Sequence, residues 1–470
     1  MQIPLAFGHY EGRSGAANAT EMVNMMLEVD AQGGAQPSTV IGTPGLEEFA
    51  DSGQAREVRG GYCYPGVLLV VTKDDFYKID TATGDRNRVG SIGTTSGNIY
   101  WAENPDEVML IDGESGYVWD KEDEALTEIT DEDFPTPKHC AWKDGFGVVI
   151  ESSTGKMYVS AINDFTSWDA LDFTTAEFEP DNLVGCYAAH DSLIALGEKT
   201  TQFYYNSGNS SYPFDNRQGA NLQVGCGATG SIAGGENVVL WLDNLGRVRM
   251  LTGYAPERIS TPQIEYQISQ VTVENARGSY YTQEGHSFYV LTFPTEALTI
   301  VYDLTTGQWH RRKSYPYTDG ADERYRANWI VQDDYDVFSG DYQNGKIYKL
   351  NPGHFYDNGN LIKWYVSTQD VKADQNMVSH QMLEVRIQPG VGLRTGQGDE
   401  PQMWMQYSDD GGYTWSHEKW ASMGALGEYS KRLRWYNLGL SRNRMYRFGG
   451  TDPVKRHIIS AHVEAEALGY

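Results

Sequence analysis

The chain has 470 residues, 40% hydrophobic and 21% charged, with 31 Tyr and 51 Gly. That balance is globular, excludes a disordered chain and leaves room for two or three domains. A formal net charge of −27 at pH 7 disfavours an ordinary DNA-reading domain, because duplex DNA carries about one negative charge per ~1.7 Å of axis; the acidity serves either solubility or a role of its own.

In chain order, the N-terminus MQIPLAFGHYEGRSG has no basic or apolar region of a signal peptide. No apolar run approaches the ~18 residues of a membrane helix, so no membrane anchor is expected. Residues 1–36, with the Met-rich MVNMMLEV at 22–29, suit an arm or edge strand.

Seven segments then repeat one pattern: an apolar strand, a polar turn and a second strand rich in aromatic and β-branched residues. They are VLLVVTKDDFYKID (67–80), EVMLIDGESGYVWD (107–120), FGVVIESSTGKMYVS (146–160), SLIALGEKTTQFYYN (192–206), NVVLWLDNLGRVRML (237–251), HSFYVLTFPTEALTIVYDL (286–304) and DVFSGDYQNGKIYKL (336–350). Their spacing of ~40–50 residues is the blade period of β-propellers. Each unit has room for four strands, and stacking around an axis covers sheet faces that no single blade can bury. A propeller over 37–352 is therefore expected, of seven blades, with six as the alternative if one pair lies outside the ring. The last unit is one strand short, and STVIGTPGLEEFA (38–50) is the expected donor of its outer strand. The competing arrangement is a series of ordinary hairpins in a sandwich.

From 360 to 470 the strands IKWYVS, QMLEVRIQ, MWMQYS, RLRWYNL, MYRFGG and HIISAHVEAE predict a C-terminal β-sandwich. The fold class is thus all-β. Cys63, Cys140, Cys186 and Cys226 include no C-x-x-C pair and read as free, mostly buried thiols made in a reducing compartment.

Motifs for chemistry are nearly absent. The chain lacks the zincin, P-loop, nucleophile-elbow and EF-hand patterns, and its histidines do not pair at metal-ligand spacings. His310, in QWHRRK, reads as a surface residue, and the acidic run from Glu122 to Asp133 as a solvated loop. No catalytic residue, metal or cofactor is expected.

SDDGGYTW (408–415) fills the S-x-D-x-G-x-T-W box of sialidases and other propellers with Ser408, Asp410, Gly412, Thr414 and Trp415. The box is a folding device: Asp bonds turn amides, Gly takes a φ that a side chain forbids, and Trp packs beneath. It occurs once, outside the propeller, and no nucleophile with convergent acids accompanies it. KRLRWYNLGLSRNRMYR (431–447) carries Lys431, Arg432, Arg434, Arg442, Arg444 and Arg447 with no acid among them. Alternation puts Arg432 and Arg434 on one face, with Leu433 and Trp435 inward. The strip either pairs with nearby Glu and Asp across strands or docks an acidic subunit or phosphate, which the guanidinium fork binds bidentately.

The order of motifs resembles the packaged-DNA stabilisation proteins, or tail accessory factors (hubs, nozzles), of short-tailed bacteriophages. VNMMLE (23–28), GTPGLEEF (42–49), SAINDFTSWDALDFTTAEFEPDNLVG (160–185), PERISTPQIE (256–265), EGHSFYVLTFP (284–294), VYDLTTGQWHRR (301–312), SGDYQNGKIYKLN (339–351) and the Arg-rich C-terminal strands ending in TDPVKRHIISAHVEAE follow the family's order over nearly the whole chain. The resemblance implies a non-enzymatic virion protein made in the host cytoplasm. Copies would form a ring, usually of six, below the portal and its adaptor ring. The ring would extend the DNA channel, pass genomic DNA without sequence-specific binding, retain the packaged genome and seat a tail needle and tailspikes or fibres. A receptor- or glycan-binding propeller and a sialidase-like hydrolase are the competing functions.

Overall fold

The computed structural model describes residues 2–3, 10–11, 19–29, 38–176, 178–189, 191–209, 212–315, 323–372 and 376–468. Five antiparallel sheets of four strands follow one another over 58–91, 100–128, 137–175, 183–216 and 233–258, each a simple meander. A sixth four-strand meander covers 277–311, and a seventh unit combines three strands over 327–351 with Gly45–Asp51. In every unit the repeated pair seen in the sequence forms the two middle strands.

The reason for this arrangement is visible in Val67–Thr72. Leu68, Leu69, Val70 and Val71 are all fully buried, yet a strand points successive side chains to opposite faces. Leu68 and Val70 pack towards the seventh unit, with Phe338 and Ile347. Leu69 and Val71 pack towards the second, with Val108 and Leu110. The middle strands of the later units divide the same way: Leu193 and Ala195 face one neighbour, Ile194 and Leu196 the other. Near-continuous apolar runs are what a sheet covered on both faces requires.

Closure of the last unit uses the N-terminal segment. Gly45–Asp51 pairs antiparallel with Lys346–Asn351, Leu46 opposite Leu350 and Ala50 opposite Ile347. Gly345 makes the preceding turn at φ +73°, where an added Cβ would lie 1.9 Å from the Gln54 carbonyl oxygen, so only glycine fits. The expected donor segment divides in two. Ser38–Gly42 does not join the ring; it pairs with His457–Ala467 and with Met25–Val29 in the sandwich. The turn between its two strands sends the chain from one body to the other.

The C-terminal strands form two facing sheets. One runs Leu433–Ser441, Val378–Ile387, His457–Ala467, Ser38–Gly42, Met25–Val29. The other runs Trp364–Ser367, Asn443–Gly450, Gln402–Ser408, Lys419–Ser422. Leu383 and Val385 meet Met403, Met405 and Phe448 between them, and Met25 and Leu27 of the arm fill the same core. The short helix Pro262–Ile268 starts at an N-cap Thr261 and buries Ile264 and Ile268 between the fifth and sixth units.

The arm also joins the bodies. Met22–Val23 pairs in parallel with the sixth unit at Arg311 and antiparallel with Trp364–Ser367, so one ten-stranded sheet runs from propeller into sandwich. Asn24, buried with φ +53°, rivets the seam. Its Nδ2 donates to the carbonyl oxygens of Lys313 (2.9 Å) and Lys363 (2.7 Å), and its Oδ1 accepts from the Lys313 amide (3.0 Å). Asn tolerates left-handed φ better than other non-glycine residues. Asn24→Ala is expected to lower unfolding free energy by about 2–4 kcal/mol, from buried groups left unpaired, as measured by urea unfolding.

Beside this seam Asp357 pairs with Leu46. Its carboxylate accepts from the Ser314 hydroxyl, and burial pushes it up to about 6 from 3.8, against the lowering pull of Ser314 and Arg326. A raised folded carboxyl favours the protonated folded state. Its contribution is therefore fully present below the unfolded value and is lost as pH rises through about 6. Asp357→Asn should flatten that part of the profile, seen as the difference between the two proteins' urea midpoints from pH 4 to pH 7.

Candidate functional site: the basic strip, the hairpin box and the central cavity

The strip lies on Leu433–Ser441 and Asn443–Gly450, edge and interior strands of the two sandwich sheets. Leu433 and Trp435 point inward, and Arg432 and Arg434 lie exposed beside Glu384 on the neighbouring strand. Arg434 Nε donates to Glu384 at 2.6 Å, Arg432 stands 3.7 Å from the same carboxylate, and Lys431 is 3.9 Å from Glu428. Such exposed pairs contribute little stability.

Two members differ in kind. Arg444 does not reach the surface: its guanidinium is bidentate on Asp409 (2.6 and 2.7 Å), donates to the Leu438 carbonyl oxygen and lies 4.1 Å from the Tyr407 ring centre. It is a packing and pairing residue, because burial of a guanidinium demands a counter-charge. Arg447 is half-buried, with its guanidinium 3.8 Å from the Trp415 ring centre and 3.8 Å from Glu21 of the arm. Arg442 is exposed. The strip's outward positive charge is thus carried by Arg442 and by the partly compensated Lys431, Arg432 and Arg434.

The box is a hairpin turn. Ser408 Oγ donates to Asp410 (2.7 Å) and accepts from the Gly412 amide (2.8 Å), and Asp410 accepts from the Thr414 amide (2.9 Å) and hydroxyl (2.5 Å). Gly412 has φ +93°. Trp415 is half-buried and packs against Arg447, a partner that sequence spacing could not reveal. Hydrogen bonds from Thr414 and Ser408 hold Asp410 down at about 2.

The first strands of all seven units line a central cavity of about 720 Å³. In it His139 Nδ1 stands 3.6 Å from Cys186 Sγ. Burial pushes His139 down to about 4 and the Cys186 thiol up. A neutral imidazole beside a protonated thiol is a packed pair, since nucleophilic cysteines need a lowered pKa. Cys140, Cys186 and Cys226 are buried, Cys63 is partly exposed, and all four are free. Arg59 donates to carbonyl oxygens of Lys73 (2.7 Å), Thr94 (2.7 Å) and Gly97 (3.0 Å), so it ties loops together.

His310 is not a surface residue. It is 2% exposed and packs edge-on against Phe288, because its strand is the outer strand of the sixth unit and the arm and sandwich cover it. The acidic run is not a loop throughout: Ala125–Glu128 is the outer strand of the second unit, and Asp131 beyond it accepts from the amides of Asp133 and Trp168. Among the described residues no three His, Cys, Asp or Glu side chains gather as a metal site, and no helix is long and apolar enough to cross a membrane. Asn24 and Asp357 were missed from sequence; the only trace of Asn24 is one polar residue inside VNMMLE.

These features define a β-propeller joined to a β-sandwich, with buried groups that pack and pair. Residues 1–354 match the family model described as bacteriophage P22 Gp10, beta-propeller, and residues 363–466 match bacteriophage P22 Gp10, beta-sandwich. The chain belongs to this family of bacteriophage structural proteins that stabilise packaged DNA. No curated protein matches it. Solved structures similar to it include the Neurospora crassa Pan2 WD40 domain (9% identity, TM-score 0.44, 66% of this chain and 96% of that one). U3-55K is another (9%, 0.43, 66% and 99%), as is the computationally designed Ika8 protein (11%, 0.42, 65% and 99%).

The two classes of arginine should separate on mutation. Arg442→Ala is expected within about 0.5 kcal/mol of the parent, and Arg444→Ala to cost about 2–4 kcal/mol, read as unfolding free energies.

Proposed function

We propose that the chain is a subunit of the phage tail nozzle, or hub. Six copies form a ring that continues the channel below the portal and its adaptor ring, retains the genome and seats the tail needle and the tailspikes or fibres. The seven sheet units are read as seven blades of one wheel, with an arm over 1–36, the propeller over 37–352 and the sandwich over 360–470. Ser38–Gly42 is counted with the sandwich. No catalytic role is assigned, and free, mostly buried thiols suit assembly in the host cytoplasm.

The observation that carries this reading is the ten-stranded sheet from the sixth unit into the sandwich. It couples two bodies by backbone hydrogen bonds, as a part that bears load between neighbours needs. Arg442, with Lys431, Arg432 and Arg434, is the proposed contact to an acidic neighbour. The charge of −27 gives a wall that repels passing duplex at ranges of about 8 Å, the screening length at physiological salt, so DNA slides without sticking.

Electron microscopy of particles with and without the protein tests the reading. The expected result is a sixfold ring at the genome's exit with a net acidic lumen, and DNA-leaking heads when the protein is missing. Heads that keep their DNA without it, or a lumen lined mainly by Lys and Arg, would sink it.

A further inference from the structure

A second cavity, of about 490 Å³, opens on the outer rim between the third and fourth units, away from the first strands that line the central one. Thr174 and Thr175, at the end of the third unit's outer strand, form one wall. Gln202, Tyr204 and Asn216 of the fourth unit form the floor, and the loop from Gln218 to Asn221 the other wall. That loop is pinned. Leu222 and Thr201 exchange backbone hydrogen bonds of 2.8 and 2.9 Å, and the Arg217 amide donates to the Phe203 carbonyl oxygen at 2.7 Å. The crevice is therefore held open before anything enters it.

Its chemistry is unusual for this chain. Although 101 of 470 residues are charged, from 37 basic and 64 acidic, among the described residues its lining contains no Lys, Arg or His and a single carboxylate, Asp215. The floor is a ladder of amides. Gln202 Oε1 accepts from Tyr204 Oη (3.1 Å) and Asn216 Nδ2 (3.2 Å), and Asn216 Oδ1 accepts from Asn221 Nδ2 (3.1 Å). Gln202 is 2% exposed, and its Nε2 has no partner among the described residues. A buried donor left unmade is costly unless something accepts from it. Phe178, 44% exposed, presents an aromatic ring at the rim.

We propose that this crevice binds a neutral oligosaccharide. Sugar hydroxyls both donate and accept, as amides and threonine hydroxyls do. The apolar face of a sugar ring stacks on an aromatic, and the volume lies in the range of small-ligand sites. A sialylated or phosphorylated ligand would meet Asp215 with no cation among the described lining residues to offset it, so the site selects against anions. The activity is independent of the nozzle reading: a rim site on a structural subunit would hold a surface glycan while the ring does its own work.

The test uses the full chain on an array of neutral, sialylated and phosphorylated oligosaccharides, followed by saturation-transfer NMR with the best neutral one. Binding of a neutral oligosaccharide is expected. It should weaken by about tenfold or more in Phe178→Ala, where a stacking ring is lost, and fall also in Gln218→Ala. Both side chains are exposed, so melting temperatures should match the parent. Failure of every neutral glycan to bind, preference for an anionic one, or binding untouched by both substitutions would overturn the proposal. Ring formation in the same preparations reports separately on the nozzle.

Discussion

A four-stranded sheet with apolar residues on both faces cannot stand alone in water. The rest of this structure follows from that constraint. Leu68 and Val70 need one neighbour while Leu69 and Val71 need another, so each sheet must be flanked twice. A line of such sheets would leave two faces wet. The chain avoids this because the first unit packs on the seventh, where Val58 and Leu68 share a core with Phe338 and Ile347. The hydrophobic effect, not any single contact, sets the circular order.

Closure needs a strand from far away in sequence, and that strand comes from a segment with two allegiances. Gly45–Asp51 completes the seventh unit, while Ser38–Gly42 and Met25–Val29 extend the sandwich. Met26 packs in the core of the sixth and seventh units, and its neighbours Met25 and Leu27 in the sandwich core. Period-two alternation thus places consecutive residues of one strand in two different bodies. Arg456 adds to the same seam, donating to the Thr43 carbonyl oxygen at 2.7 Å. A wheel and a sandwich joined by shared strands and shared cores are coupled by both backbone pairing and packing, which suits a family whose members stabilise packaged DNA.

Part of the polar chemistry that stands out in the sequence is answered within the chain. Six basic residues with no acid among them look like a docking face. Glu384, 47 residues before the strip begins at Lys431, and Asp409, 22 residues before it, answer three of them in space. Ser408, Asp410, Gly412 and Thr414 were legible as a turn because their hydrogen bonds are local. Trp415 was legible as a packing residue but not as the platform for Arg447, a contact across strands.

The sequence by itself determined the all-β class, the repeat of apolar strand pairs, the sandwich strands and the hairpin box, because alternation and turn chemistry act over a few residues. It also carried the family, through motifs in order along the chain. Only the tertiary structure decided that Ser38–Gly42 belongs to the sandwich, that His310 and Arg444 are buried, that Asn24 and Asp357 sit at the seam, and that threonines of the third unit and amides of the fourth share one crevice. Those outcomes depend on which distant strands become neighbours. That is settled by the burial of whole faces, which no local pattern encodes.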